Sequence, residues 1–600
     1  MRYFFSIILM IFLISCGEGA LDNEKPGNVE NLFGEAVLNP LGMTPLAAEI
    51  PFYPETSGSI SLKIPHADEN EPDFEAEINF EATKDILHIP VIGLFPDRDN
   101  KVVFTVKNSE GEIKGTHETT ITTDPLPAGM PEIEAEGIHD SSEFTFVHWM
   151  RTPLAEATAH MLLIDHAGYI RWYTTTDYLF HPTEIFDGIL YAGTQRKSLA
   201  KISWLGEVLE EWDLSKHGFI NIHHDIFRKP DGNFLLTSDK KGSRFMEDHI
   251  IEINPEDNTL VNEWDLADIM PTVADLFIDT PMTQGAVESD QEGHQYFGQT
   301  NDPIHLNGVW YDDSDDTIIF SSQRSGIAKM YYDGRLKWFM TFHMLRYIDD
   351  HDGDGVSDSL AEGYDGENML TWAGDFRGDN YTILRKPLNI PVAHDYGGMD
   401  WDYGNFLLVP VDTEGEKIKD EDVVLGFKDG DDFAWPFRPH SPVIFKNGDI
   451  ALFDNGLTRN FSIPPWTKNS FSRAVAFSVK EDETTGYGGK VRQTWEFICP
   501  PEDENADPWE GLSVAVSDID ELPNGNRLVT SGAIGSSFLD ILNEYDGYRG
   551  SIIWEVDPAD NTVIHKLALR RVITDEFPPT EQSSYRAERV NPYEGVDGNL

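Results

Sequence analysis

Only two cysteines occur in 600 residues, Cys16 and Cys499. The first stands at the end of a segment that reads as an export signal, so Cys499 has no partner for an internal disulfide in the mature chain, whose loops must be fixed by packing or charge. Basic residues are scarce too: 45 lysines and arginines face 105 aspartates and glutamates, for a formal charge of -60. That balance argues against nucleic acid as a partner, because phosphate contacts need clustered cations. It reads as a solubility device or salt adaptation, and any anionic ligand must be met by local cations in a cleft. No G-x-x-x-x-G-K-[ST] loop and no βαβ alternation sets a helix terminus against a nucleotide phosphate. A long apolar run is missing as well; the amino-terminal one, Tyr3 to Ile14, is short for a membrane span.

What that start contains is Arg2, the apolar run, and Leu13-Ile14-Ser15-Cys16. These residues resemble the lipobox of bacterial lipoproteins, in which the cysteine becomes the lipidated first residue. Residues 1–16 are therefore expected to be a lipoprotein signal and 17–33 a polar tether. The mature protein is expected to be an exported lipoprotein on the periplasmic or cell-surface face of a bacterial membrane. Gly17 after the cysteine, rather than an aspartate, favours the outer membrane. The bland alternative is an ordinary signal peptide with an incidental cysteine.

Hydrophobic residues make up 40% of the chain and aromatics 12%, ample for a packed core. Between 34 and 126 short alternating runs such as SISLKI, FEAEINF and KVVFTVKN, separated by Gly-, Pro-, Asp- and Asn-rich turns, predict a small β-sandwich. Over 127–600 one hairpin phrase recurs, with a polar residue eight positions before a turn glycine. His224 precedes Gly232, His440 precedes Gly448, and Ser517 precedes Gly525. Looser copies begin at His305 and His394, and a weaker one at His181. Such recurrence marks a radial repeat, because a lone four-stranded sheet cannot bury both faces. The expected fold is all-β: a six-bladed β-propeller preceded by a small N-terminal β-sandwich. Equivalent positions on innermost strands form a ring, so His224, His305, His394, His440 and Ser517 should share one axial funnel. A lone histidine before a strand is more often structural than catalytic; the recurrence is what singles these out. Trp172, Trp212 and Trp264 recur at strand ends and read as core that cements neighbouring blades.

A separate signal lies at 349–362, DDHDGDGVSDSLAE. Asp350, Asp352, Asp354 and Asp358 stand at loop positions 1, 3, 5 and 9 with Gly355 at 6, the spacing that wraps oxygen ligands around calcium. Ala361 replaces the usual bidentate glutamate, so the loop resembles thrombospondin type 3 or dockerin loops more than an EF-hand. Chance acidic runs are common in so acidic a chain. Bound Ca2+ would be structural, stiffening an insertion between blades.

Two stretches, DDFAWPFRPHSPVIFKNGDIALFDN at 431–455 and DPIHLNGVWYDDSDDTIIFSSQRSGIAK at 302–329, resemble the bacterial arylsulfotransferases, as do NPLGMTPLAAEI and IPVIGLFPD in the first domain. The resemblance implies a PAPS-independent transfer of a sulfuryl group from a phenolic sulfate ester to a phenolic acceptor through a sulfohistidine intermediate. It makes His440 the nucleophile, with His224, His305 and Arg324 donating to the sulfuryl or phenolic oxygens. Asn307, Ser517, His394 and Gln323 would complete the substrate site, with no organic cofactor. The relatives form dimers, which implies a homodimer. They carry an arginine after the Ser-Ser pair; here Gln323 holds that place and Arg324 follows. Many also carry a disulfide ahead of the nucleophile, absent from Gly415 to Gly430.

Two other classes stay open on the residues alone. One is a metal-dependent propeller lyase or hydrolase using the same histidines as ligands. The other is a non-catalytic surface lipoprotein that binds a glycan or a protein.

Overall fold

A computed structural model describes residues 29–572 and 582–594, apart from 69, 84, 138–141, 152–157, 177–182, 195–196, 244, 271–303, 324–325, 343–346, 350–382, 388–404, 458, 462–469, 502–507 and 536–549. The lipobox at Cys16, the calcium loop at Asp350, Asp352, Asp354 and Asp358, and His181, Arg324 and His394 lie outside the described residues. Among the described residues no helix is long and apolar enough to cross a membrane.

The amino-terminal module is built from two sheets, one of three strands and one of four. Strict alternation makes it a sandwich: in Phe74–Phe80 every second side chain is buried and the others face water. The module leans on the following domain through Arg171, which donates to Gly93 O (2.8 Å) and Asp165 Oδ2 (2.8 Å). Its guanidinium lies 3.5 Å from the centre of the Phe95 ring.

Among the described residues beyond 140 are a two-stranded sheet that pairs Tyr347–Asp349 with Ile383–Pro387, and six sheets with four antiparallel strands at the core of each. Their leading strands are Thr183–Phe186, Phe219–Arg228, Leu306–Asp312, Pro439–Ile444, Asp518–Glu521 and Gln582–Val590. Each touches the next in that order. Arg586 and Glu588 on the last reach Thr183 O (3.1 Å) and Ile185 N (3.2 Å) on the first, so the circle closes. Closure is doubled in the hydrogen-bond ladder. Gln582–Val590 pairs with Phe144–Arg151, and Glu132–Gly137 pairs with Thr562–Arg570, stitching the two ends of the domain into each other's sheets.

The recurring turn glycines have the left-handed backbone that such hairpins demand: φ is +92° at Gly232, +87° at Gly448 and +91° at Gly525. Trp172, Trp212 and Trp264 are buried. Each indole N–H bonds a carbonyl in the following sheet, at Trp204 (2.7 Å), Pro255 (2.8 Å) and Tyr332 (3.0 Å), so they join neighbouring sheets as their spacing predicts. An indole so placed contributes several kcal/mol to stability.

Candidate active site

The leading strands are not regular where they pass the axis. Register breaks fall between Ile222 and Ile226, between Leu306 and Gly308, and between His440 and Val443. At or beside these breaks, and just ahead of the fifth leading strand, non-glycine residues take left-handed backbone: φ is +59° at His224, +52° at His305, +61° at Arg438, +49° at Ser441 and +91° at Ser517. A bulge re-aims side chains that a plain strand would send to opposite faces, and concentrated strain of this kind is typical of functional sites. Close approach helps too. A Cβ on Gly308 would stand 2.4 Å from Pro442 Cδ, so only glycine lets the His440 strand pack this tightly.

His440 is 2% exposed. Its Nδ1 lies 2.6 Å from Asn455 Oδ1, and the amide of Asn455 cannot be turned round, because its Nδ2 donates to Ser513 O (2.9 Å) and Val516 O (3.2 Å). The imidazole must therefore donate from Nδ1, which leaves the lone pair on Nε2. Desolvation, and then the neighbouring His305, push its pKa down to about 3, so the ring is neutral across the physiological range.

The turn after the second strand locks this arrangement. Asp454 Oδ1 accepts from Phe437 N (2.8 Å) and its Oδ2 from Arg473 Nε (2.8 Å). Asp454-Asn455 thus pins both the approach to His440 and the ring itself.

His224 and His305 meet edge to face with centroids 5.4 Å apart. Burial, then His223, His305 and His440, hold His224 well below the ordinary histidine pKa, which places the three imidazoles within electrostatic reach of one another. His305 Nδ1 lies 2.9 Å from Glu247 Oε2, and its side chain, 22% exposed, is the most accessible of the three.

The other expected site residues are arranged as follows. Asn307 donates from Nδ2 to Pro439 O (2.9 Å) and accepts from Ser321 Oγ (2.6 Å), bracing the backbone beside His440. The Ser517 hydroxyl is tied to Ser513 Oγ (2.9 Å) and Gly532 N (2.9 Å), while its carbonyl accepts from Ser441 Oγ (3.1 Å). Gln323 Oε1 accepts from Arg438 Nη1 at 3.0 Å. Arg438, just ahead of His440, thus brings a guanidinium beside Gln323; the expected Arg324 lies outside the described residues. Sequence reasoning missed Arg438, Asn455, Glu247 and Tyr585, whose ring lies 5.8 Å from that of His224. The Asp-Asn-Gly turn was the one visible signal for Asn455.

Beneath the histidines lies a nest of acids. Arg586 Nη2 donates to Asp225 Oδ1 (2.8 Å), and Asp225 Oδ2 accepts from Val309 N (2.7 Å). Burial pushes Asp225 and Asp520 up, Asp518 to about 6 and Glu588 to about 8. Between its ordinary value of 4.5 and about 8, Glu588 binds more proton folded than unfolded, so its contribution to stability falls as pH rises through that window. Glu588→Gln should remove this liability. The variant is expected to gain up to about 4 kcal/mol over the parent at pH 8 and nothing at pH 4. Thermal melts across that range check it; a gain independent of pH would refute the assignment.

Comparison with known proteins identifies the class. The arylsulfotransferase (ASST) family profile matches residues 138–345 and 394–577, and the arylsulfotransferase Ig-like domain matches 35–124. The chain belongs to the arylsulfotransferase family. It is 21% identical over 549 residues to the arylsulfate sulfotransferase AssT of Escherichia coli O6:H1, covering 79% of this chain and 81% of that protein. To the AssT of Lelliottia amnigena it is 20% identical over 646 residues, covering 95% and 94% respectively. Among solved structures, an auxiliary nutrient binding protein from Bacteroides ovatus covers 91% of this chain and all of its own at 9% identity, but with a TM-score of 0.27 it carries no argument.

Proposed function

We propose that this protein is a six-bladed propeller enzyme that moves a sulfuryl group from a phenolic sulfate ester to a phenolic acceptor, with His440 as nucleophile and no nucleotide donor. The observation that carries this reading is the Asn455 clamp, which holds a neutral imidazole with its Nε2 lone pair available beside His224 and His305. The cycle of six leading strands supports the blade count.

In the first half-reaction Nε2 attacks sulfur as the S–O(aryl) bond breaks, and the phenolate departs with the electron pair. The proton stays on Nδ1, hydrogen-bonded to Asn455 Oδ1. In the second, an acceptor phenol attacks the same sulfur, loses its proton, and His440 leaves with its lone pair restored. Two displacements replace one difficult step. A ring of low basicity is also a good leaving group, which keeps the intermediate transferable. Sulfuryl transfer resembles phosphoryl transfer in needing in-line positioning and charge on equatorial oxygens met by fixed donors. Arg438 supplies the cation and His224 a hydrogen bond. His305, backed by Glu247, is placed to handle the phenolic proton.

Lipid anchoring through Cys16, an outer-membrane location, a homodimer and structural Ca2+ at 349–362 are part of the same proposal. Sequence motifs support the anchor and the Ca2+, and the family resemblance supports the dimer.

Incubating the protein with a chromogenic aryl sulfate, with and without added phenol, tests the reaction. Colour release that requires the acceptor is expected. Equal release without phenol would point to hydrolysis, and no release to a binding protein.

A further inference from the structure

The bulge at Ile222/Ile226 delivers not one histidine to the axis but two. His223 Nδ1 and His224 Nδ1 face each other at 2.8 Å, and with Glu247 the two histidines form a group in which one donor atom of each residue lies within 4.8 Å of the others. Two imidazoles and one carboxylate are the donor set of a zinc-type site with a fourth position left open.

The donors are held from behind. Glu247 N donates to Asp239 Oδ1 at 2.6 Å, fixing the backbone that carries the carboxylate. The same Asp239 oxygen lies 3.7 Å from His223 Nε2, and its other oxygen accepts from Asn221 Nδ2 at 2.8 Å. A carboxylate on the far side of a ligating histidine is the usual outer support of a metal site.

The tautomers give the site a purpose. Asp239 favours hydrogen on His223 Nε2, which leaves a lone pair on His223 Nδ1. His224 must then donate from its own Nδ1, and its Nε2 would present a lone pair to the funnel, the wrong polarity for a sulfuryl oxygen. A divalent ion between the two Nδ1 atoms resolves the conflict, since both rings then ligate through Nδ1 and carry hydrogen on Nε2. Zinc–nitrogen bonds near 2.0–2.1 Å with tetrahedral angles set two such nitrogens roughly 3.3 Å apart. A widening of about half an ångström from the present contact admits the ion.

We propose that His223, His224 and Glu247 bind a divalent transition metal of the zinc class, and that the bound ion fixes His224 as an Nε2–H donor to the substrate's sulfuryl group. The second half of this proposal rests on the transfer reading above; the first does not.

Co2+ added to the chelator-treated full chain is the direct probe. One equivalent should bind with the visible absorption of a low-coordinate site, displaced by Zn2+. His223→Gln and Glu247→Gln should each weaken binding at least tenfold, while His88→Gln, a half-exposed histidine paired with Glu49 in the first domain, should not. In the parent, Zn2+ should lower KM for the aryl sulfate several-fold with kcat little changed, and His223→Gln should lose that response. Failure to bind Co2+, or binding that survives both ligand substitutions, overturns the site. Binding with KM unchanged or raised overturns the role given to His224. Binding without any turnover upholds the site and overturns the transfer reading.

Discussion

Replacing His440 with asparagine is expected to abolish acceptor-dependent release of phenol from an aryl sulfate. Asparagine approximates the shape of the Nδ1 side of the ring and can still meet Asn455, so the strand pair Pro439–Ile444 and Ile450–Asp454 should fold unchanged. The attacking lone pair is gone. Removing the nucleophile of a covalent mechanism lowers kcat on the order of 10³-fold or more, because the remaining donors can bind but have no intermediate to form. A second readout makes the result specific: a sulfur-labelled donor should leave label on the rapidly quenched parent and none on His440→Asn. A variant with more than a tenth of parental activity would remove His440 from the chemistry.

Loss of the clamp should be nearly as severe. Asn455→Leu frees the imidazole to rotate and to carry its hydrogen on either nitrogen, and enzymes that present the wrong tautomer lose about 10⁴-fold in kcat. A drop on the order of 10²–10⁴ is expected, with KM for the donor little changed. Leucine also strands the carbonyls of Ser513 and Val516, a loss of about 1–3 kcal/mol, so a lowered melting temperature alone would say only that Asn455 is structural. The discriminating variant is Asn455→Asp. A carboxylate against Nδ1 stabilises the imidazolium, so the pKa of His440 should rise from about 3 towards neutrality. Because only the neutral ring attacks, kcat/KM should gain an acidic limb, climbing as pH rises between about 5 and 7, where the parent is flat. A profile identical to the parent's would assign Asn455 a purely architectural part.

The fold was legible wherever a local constraint repeats. Gly232, Gly448 and Gly525 announce the hairpins because glycine takes that backbone without steric cost, and Trp172, Trp212 and Trp264 announce the seams because an indole needs both a large cavity and an acceptor. The same register assembled His224, His305 and His440, which the structure does bring together. What stayed hidden depends on breaks in periodicity or on distant partners. Alternation along a strand places neighbours on opposite faces, so it sends His223 away from the axis, whereas a bulge turns both rings inward. Arg438 meets Gln323 across 115 residues, and Arg586 meets Asp225 across 361. Such pairs leave no mark on either stretch alone.

The doubled closure of the ring bears on how the enzyme comes into being. Tyr585, Arg586 and Glu588 ride on Gln582–Val590, which follows every other sheet in the sequence and completes the one begun at Phe144–Arg151. While the polypeptide is still emerging from the ribosome, that early sheet waits with an unpaired edge, and Asp225 has no arginine beside it. Until the last strand arrives, the ring of sheets stays open. Docking of that one strand both seals the ring and brings Arg586 to Asp225.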